Sequence, residues 1–149
     1  MLQDNIKTKG TLTLVLTDEN GNVKQQDEHN LVVSSGLAYI ASRMKDATAT
    51  AMSHMAVGSN NTAAAAGNTT LTELGRVALT STTIVTTSVA NDAVQYVATF
   101  PAGTGTGGIQ EAAIFNASSA GTMLCRTVFA VINKGALDTL TITWKVTVA

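Results

Sequence analysis

The stretch Asp138-Thr-Leu-Thr-Ile-Thr-Trp-Lys-Val-Thr-Val148 alternates strictly between apolar and polar side chains. Side chains on a β-strand point in turn to the two faces of its sheet, so a period of two predicts one buried face and one face in water. We therefore predict a half-buried antiparallel strand. Its predicted core side chains are Leu140, Ile142, Trp144, Val146 and Val148.

The same alternation recurs along the chain in shorter segments that are separated by turn residues. Residues 23–28 are mostly polar, which favours a strand at the edge of the sheet. The spacing of the turns predicts a mainly β chain, a single-domain antiparallel β-sandwich of about eight or nine strands. The other predicted strands are 11–17, 52–57, 76–79, 83–89, 93–100, 109–116 and 122–130.

One segment changes to a helical period. Leu37, Ile40, Ala41 and Met44 recur at the spacing of one helix face, after serines that are typical helix caps. This pattern predicts one short α-helix at about 35–46.

Two further segments have no clear strand pattern. Thr70-Leu-Thr-Glu73 has the spacing of a capping box and predicts a single helical turn. Residues 1–9 have no periodicity and are predicted to be an N-terminal arm, which leaves 10–149 as the β domain.

The totals limit the function classes. The 149 residues fit one domain, and a net charge of -1 with 13% charged residues offers no basic surface for direct nucleic-acid binding. The apolar runs are too short to span a membrane, and the first residues lack an apolar signal core, so we expect a product made in the cytoplasm. One cysteine and two histidines leave a metal site short of ligands, so no metal or cofactor is expected.

Two short motifs resemble ligand-binding loops. Residues 103–108 spell GxGxxG, but the segment after them is predicted to be a strand rather than the helix of a dinucleotide site. Asp18-x-Asn20-x-Asn22 resembles the start of a calcium loop, but it lacks the glycine and glutamate that complete one. Both are interpreted as hairpin loops.

Catalysis is not favoured by the remaining reactive residues. Cys125 lies in a strand-like run with no adjacent base, where cysteine is usually a small buried hydrophobe. Two glutamates are each better matched to an arginine, as structural ion pairs, than to an acid–base role. These pairs are Glu73–Arg76, three residues apart, and Glu111–Arg126, across a predicted hairpin. We expect no enzyme.

Several short segments, taken in order, resemble small structural proteins of tailed bacteriophages. In particular the chain is similar to the cement or decoration proteins of podovirus-type capsids, over about residues 10–148. The segments are Asn30-Leu-Val-Val-x-x-Gly-Leu37, Met55-Ala-Val-Gly58, Leu71-x-Glu73-x-x-Arg76, a strand ending at Phe100, Gln110-Glu-Ala-Ala-Ile-Phe115, Gly121-Thr-Met-Leu-Cys-Arg126 and Asp138-Thr-Leu-Thr-Ile-Thr-Trp144.

The resemblance implies a jelly-roll β-sandwich that binds the outside of the virion head. There it would bridge subunits of the major capsid protein and stabilise the DNA-filled shell, as a homo-oligomer, dimer or trimer. Leu2 and Ile6 of the arm are the candidate anchors on a neighbour. The alternative is a tail-fibre or baseplate module whose loop at 60–70 binds a host-surface ligand.

Overall fold

The computed structural model describes residues 6–148. These residues form nine antiparallel strands, all in a single sheet, and one helix. The sheet order is β4-β3-β7-β8-β2-β1-β9-β6-β5. The predicted mainly β, sandwich-like fold with one helix is confirmed. The elements are β1 (Thr8–Thr17), β2 (Val23–Val32), α1 (Ser34–Lys45), β3 (His54–Gly58), β4 (Glu73–Ala78), β5 (Ser81–Val85), β6 (Ala93–Phe100), β7 (Gly107–Phe115), β8 (Met123–Lys134) and β9 (Thr139–Val148).

Strand β2 joins the two layers of the sandwich. It pairs with β1 over eight positions, but with β8 only at Leu31 and Val32, opposite Arg126 and Cys125. Because the two neighbours diverge beyond this short ladder, the sheet folds over at the end of β2. Residues 23–28 pair with β1 alone, so the predicted edge character holds for this segment, although Leu31 and Val32 place β2 as a whole in the middle of the order. Its polar residues remain largely exposed, because β8 has turned away from them.

The two ends of the sheet order meet again in space. Strand β4 ends at Ala78 and β5 begins at Ser81, although the two strands stand at opposite ends of the order. The linking residues hydrogen-bond to both layers, because the Leu79 amide donates to Ser53 O (2.9 Å) and the Thr80 amide to Val97 O (2.7 Å). The sheet is thus curled, and the short connection at residues 79–80 holds its two end strands near each other without pairing them.

The core fills the space between the layers and is centred on β9. The inner-facing side chains Leu140, Ile142 and Trp144 are fully buried and Val146 nearly so, which confirms the predicted orientation of this strand. Val148, at the end of the strand, is 42% exposed, so its predicted place in the core is wrong. The indole nitrogen of Trp144 donates to Asn30 Oδ1 at 2.7 Å, so its polar atom is satisfied without reaching water. The opposite layer contributes the buried side chains Met55, Val57, Ile109, Ile114 and Leu124.

The helix forms where it is predicted, but it buries a different face. Gly36 lies on the backbone of Leu124, and Tyr39 and Ile40 pack against the core, whereas Leu37 is 50% and Met44 81% exposed. Only one residue separates β2 from α1, so the exit direction of the strand fixes which face of the helix meets the sheet. The apolar period predicted the position of the helix correctly, but it did not predict which helix face packs against the sheet.

The predicted caps and the second helical turn are also wrong. The N-cap residue is Val33, without a side-chain hydrogen bond, and Ser35 Oγ donates instead to Met123 O at 2.7 Å. Glu73 begins strand β4, and no helix forms over 70–73, because pairing of β4 with β3 overrides the weak local signal. No helix in residues 6–148 has the length and apolar character needed to cross a bilayer.

Candidate functional site

Strands β4, β3, β7 and β8 form the second layer of the sandwich. On the outer face of this layer, small residues lie between two arginines, and we call this surface the floor. Arg76, Ala56, Ala113 and Arg126 stand opposite one another on β4, β3, β7 and β8. Ala56 and Ala113 are completely buried, so this face of the sheet is covered rather than open to water. Their short side chains allow another segment to lie close to the sheet.

The neighbouring row carries two glutamates on either side of a glycine. Glu73, Gly58 and Glu111 are aligned on β4, β3 and β7. Each glutamate contacts an arginine of the first row. Arg76 lies 2.8 Å from Glu73 and Arg126 lies 2.9 Å from Glu111, so the structure brings together both pairs named from the sequence.

The loop of residues 59–72 covers this floor, and Glu111 holds both of its ends. One carboxylate oxygen of Glu111 accepts hydrogen bonds from the amides of Asn60 (3.1 Å) and Thr72 (2.7 Å). A β-carbon at Gly58 would overlap that carboxylate, so a glycine is needed here for the close approach. The buried carboxylate therefore satisfies the backbone where the loop leaves and rejoins the sheet.

Arg126 holds the middle of the same loop. Its guanidinium donates to the Glu111 carboxylate, to Asn68 Oδ1 (2.9 Å) and to Thr62 O (3.0 Å). The Arg126 and Glu111 side chains are 2% and 0% exposed. Because a buried charge is tolerated only when it is paired and hydrogen-bonded, the loop and the ion pair depend on each other. We call residues 59–72 the clamped loop.

Arg76 makes the corresponding contacts at the other side of the floor. Its guanidinium donates to the carbonyls of Ala117 (3.0 Å) and Ala120 (2.9 Å) in the turn between β7 and β8. It also stacks on Phe115, with 3.9 Å from the guanidinium carbon to the ring centroid. The Glu73–Arg76 pair thus fixes a second surface turn, but Glu73 remains one-third exposed.

The outward surface of the clamped loop is uncharged and made of small side chains. From Ser59 to Thr72 it contains no charged residue, and most of its residues are exposed. Alanine and glycine lose no side-chain rotamer freedom on binding, and a backbone that is already fixed loses little more. The arrangement suits contact with another macromolecule and holds no ionisable group free for proton transfer.

The predicted arm contacts are only partly described. Ile6 is 77% exposed and precedes β1, while Leu2 lies outside the described residues. Thr8 and Lys9, which the sequence assigns to the arm, belong to β1 and pair with Val148 and Thr147.

The two motifs that resemble ligand-binding loops form turns and a strand entry. Asp18 accepts hydrogen bonds from the amides of Asn20 and Asn22, both at 2.9 Å, as in a closed turn between β1 and β2. Gly103 and Gly105 adopt positive φ in the loop that enters β7, which is a strand rather than a helix. Within residues 6–148, no three His, Cys, Asp or Glu side chains are grouped as metal ligands.

Cys125 is completely buried between the layers. Burial raises the pKa of its thiol, which opposes formation of the nucleophilic thiolate.

Two residues that build the clamped loop are missing from the sequence prediction. Asn60 and Asn68 form side-chain hydrogen bonds to the backbone within the loop, at 2.9 Å to Thr62 N and 2.8 Å to Ala65 N. Asn68 also joins the loop to Arg126, which is 58 residues away. An asparagine in a polar run signals a loop, but not which distant side chain it meets.

Comparisons with protein-family models, curated proteins and solved structures found no match for this chain.

Proposed function

We propose that this chain is a structural protein of a tailed-bacteriophage virion, a capsid cement or decoration protein. It binds the outside of the head as a homo-oligomer and bridges neighbouring subunits of the major capsid protein. The observation that carries the proposal is the clamped loop, whose outward surface is uncharged and whose backbone is already ordered. The charged residues beneath it, Glu111 and Arg126, pair with each other and hydrogen-bond to the loop. The short segments that resemble phage cement proteins support the same class.

The mechanism is an added interface across subunit boundaries. Packaged DNA pushes the shell outward, and each bridge must be broken before neighbouring subunits separate. A contact of about 1,000 Å² is weak by itself, but simultaneous attachment to two neighbours raises the effective affinity by about 10²–10⁴. Stabilisation of the shell then needs no chemical step.

Rebinding to capsids tests this proposal. Expanded capsids that lack the chain are incubated with purified protein, and bound copies are measured after sedimentation. We expect saturable binding, and we expect Ile6→Ser to weaken it at least about tenfold, because a buried isoleucine side chain contributes about 1.5–3 kcal/mol.

The matched control is Val23→Ser, another exposed aliphatic residue, 60% accessible and outside the arm. It should bind like the wild type. Absence of saturable binding by the wild-type chain would refute the cement proposal, and equal loss in both variants would refute the role of Ile6.

A tail-fibre or baseplate module is the second candidate. The observation that favours this candidate is that the clamped loop exposes Asn61, Thr62 and Thr69. Their amide and hydroxyl groups can hydrogen-bond to a sugar ligand. Binding of the chain to host-surface glycans, together with location at the tail, would favour this function over the first.

A further inference from the structure

Strand β5 is an edge strand without the usual protection against pairing. It is the last strand of the sheet order and pairs only with β6 in the described chain. Natural edge strands are commonly blocked by charge, proline or a bulge. Between Arg76 and Glu111, however, Asp92 is the only charged residue, and Pro101 is the only proline. The exposed backbone of β5 is therefore open to another strand.

The inner face of the sheet continues to β5 without being covered there. Thr82 stands opposite Tyr96 and Ile84 opposite Val94, and this register places Thr82 and Ile84 on the core side. Ile84 is nevertheless 61% exposed, although its neighbours belong to the hydrophobic core. An apolar side chain on the inner face of an open edge indicates a place for further packing.

A groove of about 380 Å³ runs between this edge and the helix. Tyr39 and Ile40 of α1 form one wall, and Thr82 and Ile84 of β5 form the rim of the other. Its lining is mainly apolar. A strand added to β5 would place alternate side chains over this groove, which is how strand addition combines backbone affinity with side-chain contacts.

We propose that the occupant is β5 of a second copy, paired antiparallel about a two-fold axis near Thr83. Self-pairing suits this strand because its residues Ser81–Val85 carry no charge, so identical strands face each other without repulsion. In this register Ile84 of each copy lies opposite Thr82 of the other, on the groove side. The interface is therefore isologous, and both exposed isoleucines become buried together.

The dimer makes one continuous sheet across both copies. It specifies the homo-oligomer named in the proposed function and rests on that function in this respect. Because the dimer is measured on the isolated chain and capsid binding on capsids, failure of one is distinguishable from failure of the other. An extended strand of a different protein is the competing occupant, and it would leave the isolated chain monomeric.

Mass measurement by light scattering or sedimentation tests the dimer. The wild type is expected at twice the chain mass of 15.3 kDa. Thr83→Lys places two lysines opposite each other and should raise the dimer dissociation constant at least about tenfold. Gln25→Lys, with the same charge change at an exposed position on β2, should leave it unchanged. Trp144 fluorescence verifies that both variants are folded.

Cysteine crosslinking tests the register. Thr83→Cys should form covalent dimers on mild oxidation or with a short thiol-specific reagent, because residues directly opposite across strands have close β-carbons. Thr11→Cys, exposed on the central strand β1, should not, and native Cys125 is buried. A monomeric wild type, a dimer that survives Thr83→Lys, or equal crosslinking at both positions would overturn the proposal.

Discussion

At the scale of single residues, the fold depends most on the ion pair beneath the clamped loop. Glu111 and Arg126 are both buried, and together they satisfy two loop amides, a loop carbonyl and the Asn68 amide oxygen. Removing either partner leaves the other charge in a place that water does not reach. Such a pair is evidence of a unique loop conformation more than of net stability.

We expect Arg126→Met to lower the free energy of unfolding by about 3–5 kcal/mol, because Glu111 then remains buried without its counter-charge. Denaturant unfolding measures the change. The double variant Glu111→Gln/Arg126→Met should lose less than the sum of the two single variants.

Glu73→Gln serves as the control, because this pair is partly exposed and should contribute at most about 1 kcal/mol. Additive losses at Glu111 and Arg126, or equal effects of Arg126→Met and Glu73→Gln, would contradict the role assigned to the buried pair.

Trp144 is the only tryptophan and reports directly on the centre of the core. Its emission should be blue-shifted in the folded protein and poorly quenched by acrylamide, and denaturant should reverse both properties. Solvent-like emission from the folded chain would mean that β9 presents its other face inward.

At the scale of elements, the helix is held by close approach to β8. The ideal β-carbon of a residue at position 36 overlaps the carbonyl of Leu124. Because this obstacle is backbone, it cannot move aside as a side-chain tip does, and the separation of helix and sheet is fixed at this glycine.

Gly36→Ala should therefore destabilise the fold by about 1–3 kcal/mol, the usual cost of overpacking. Gly67→Ala in the clamped loop is the matched control, because a β-carbon there meets nothing within 4 Å. It should change stability by less than about 0.5 kcal/mol. Thermal or denaturant unfolding distinguishes them, and equal effects would show that α1 is not packed closely on β8.

The loop between β5 and β6 depends on Asp92. Hydrogen bonds from the Thr87 hydroxyl (2.7 Å) and from the amides of Thr87 (2.7 Å) and Val89 (3.0 Å) hold the pKa of this carboxyl well below its ordinary value of 3.8. A carboxyl with a lowered folded-state pKa stabilises the fold above its unfolded pKa, and this contribution is lost as pH falls through the folded value.

We expect the stability difference between wild type and Asp92→Asn to be full at about pH 6 and to shrink below about pH 4. Unfolding curves across this range measure it. A difference that stays constant with pH would show that the carboxylate charge is not what closes the loop.

The strands were predictable from the sequence, whereas the partners of the elements were not. Alternation identified β9 and the burial of Trp144, because a strand with one buried face has a strict period. The exposed Met44 shows the limit for the helix, since the sequence cannot tell which face the exit of β2 turns inward.

For the candidate site, charge matching identified both ion pairs. The loop contacts of Asn60 and Asn68 depend on residues far away in the chain and left no local signal.

At the scale of the whole molecule, the two layers are made by one sheet that curls at β2 and is linked again between β4 and β5. The clamped loop covers one outer face and β5 forms an open edge. We propose that the clamped loop contacts a capsid neighbour and that the β5 edge contacts a second copy.

The most direct measurement of the proposed function is cryo-electron microscopy of the complete phage particles to which the proposal assigns this chain. We predict density for the nine-stranded fold on the outer surface of the head, in contact with two neighbouring subunits of the major capsid protein, in copy numbers comparable to that protein. Density confined to the tail, or its absence from complete particles, would contradict the account.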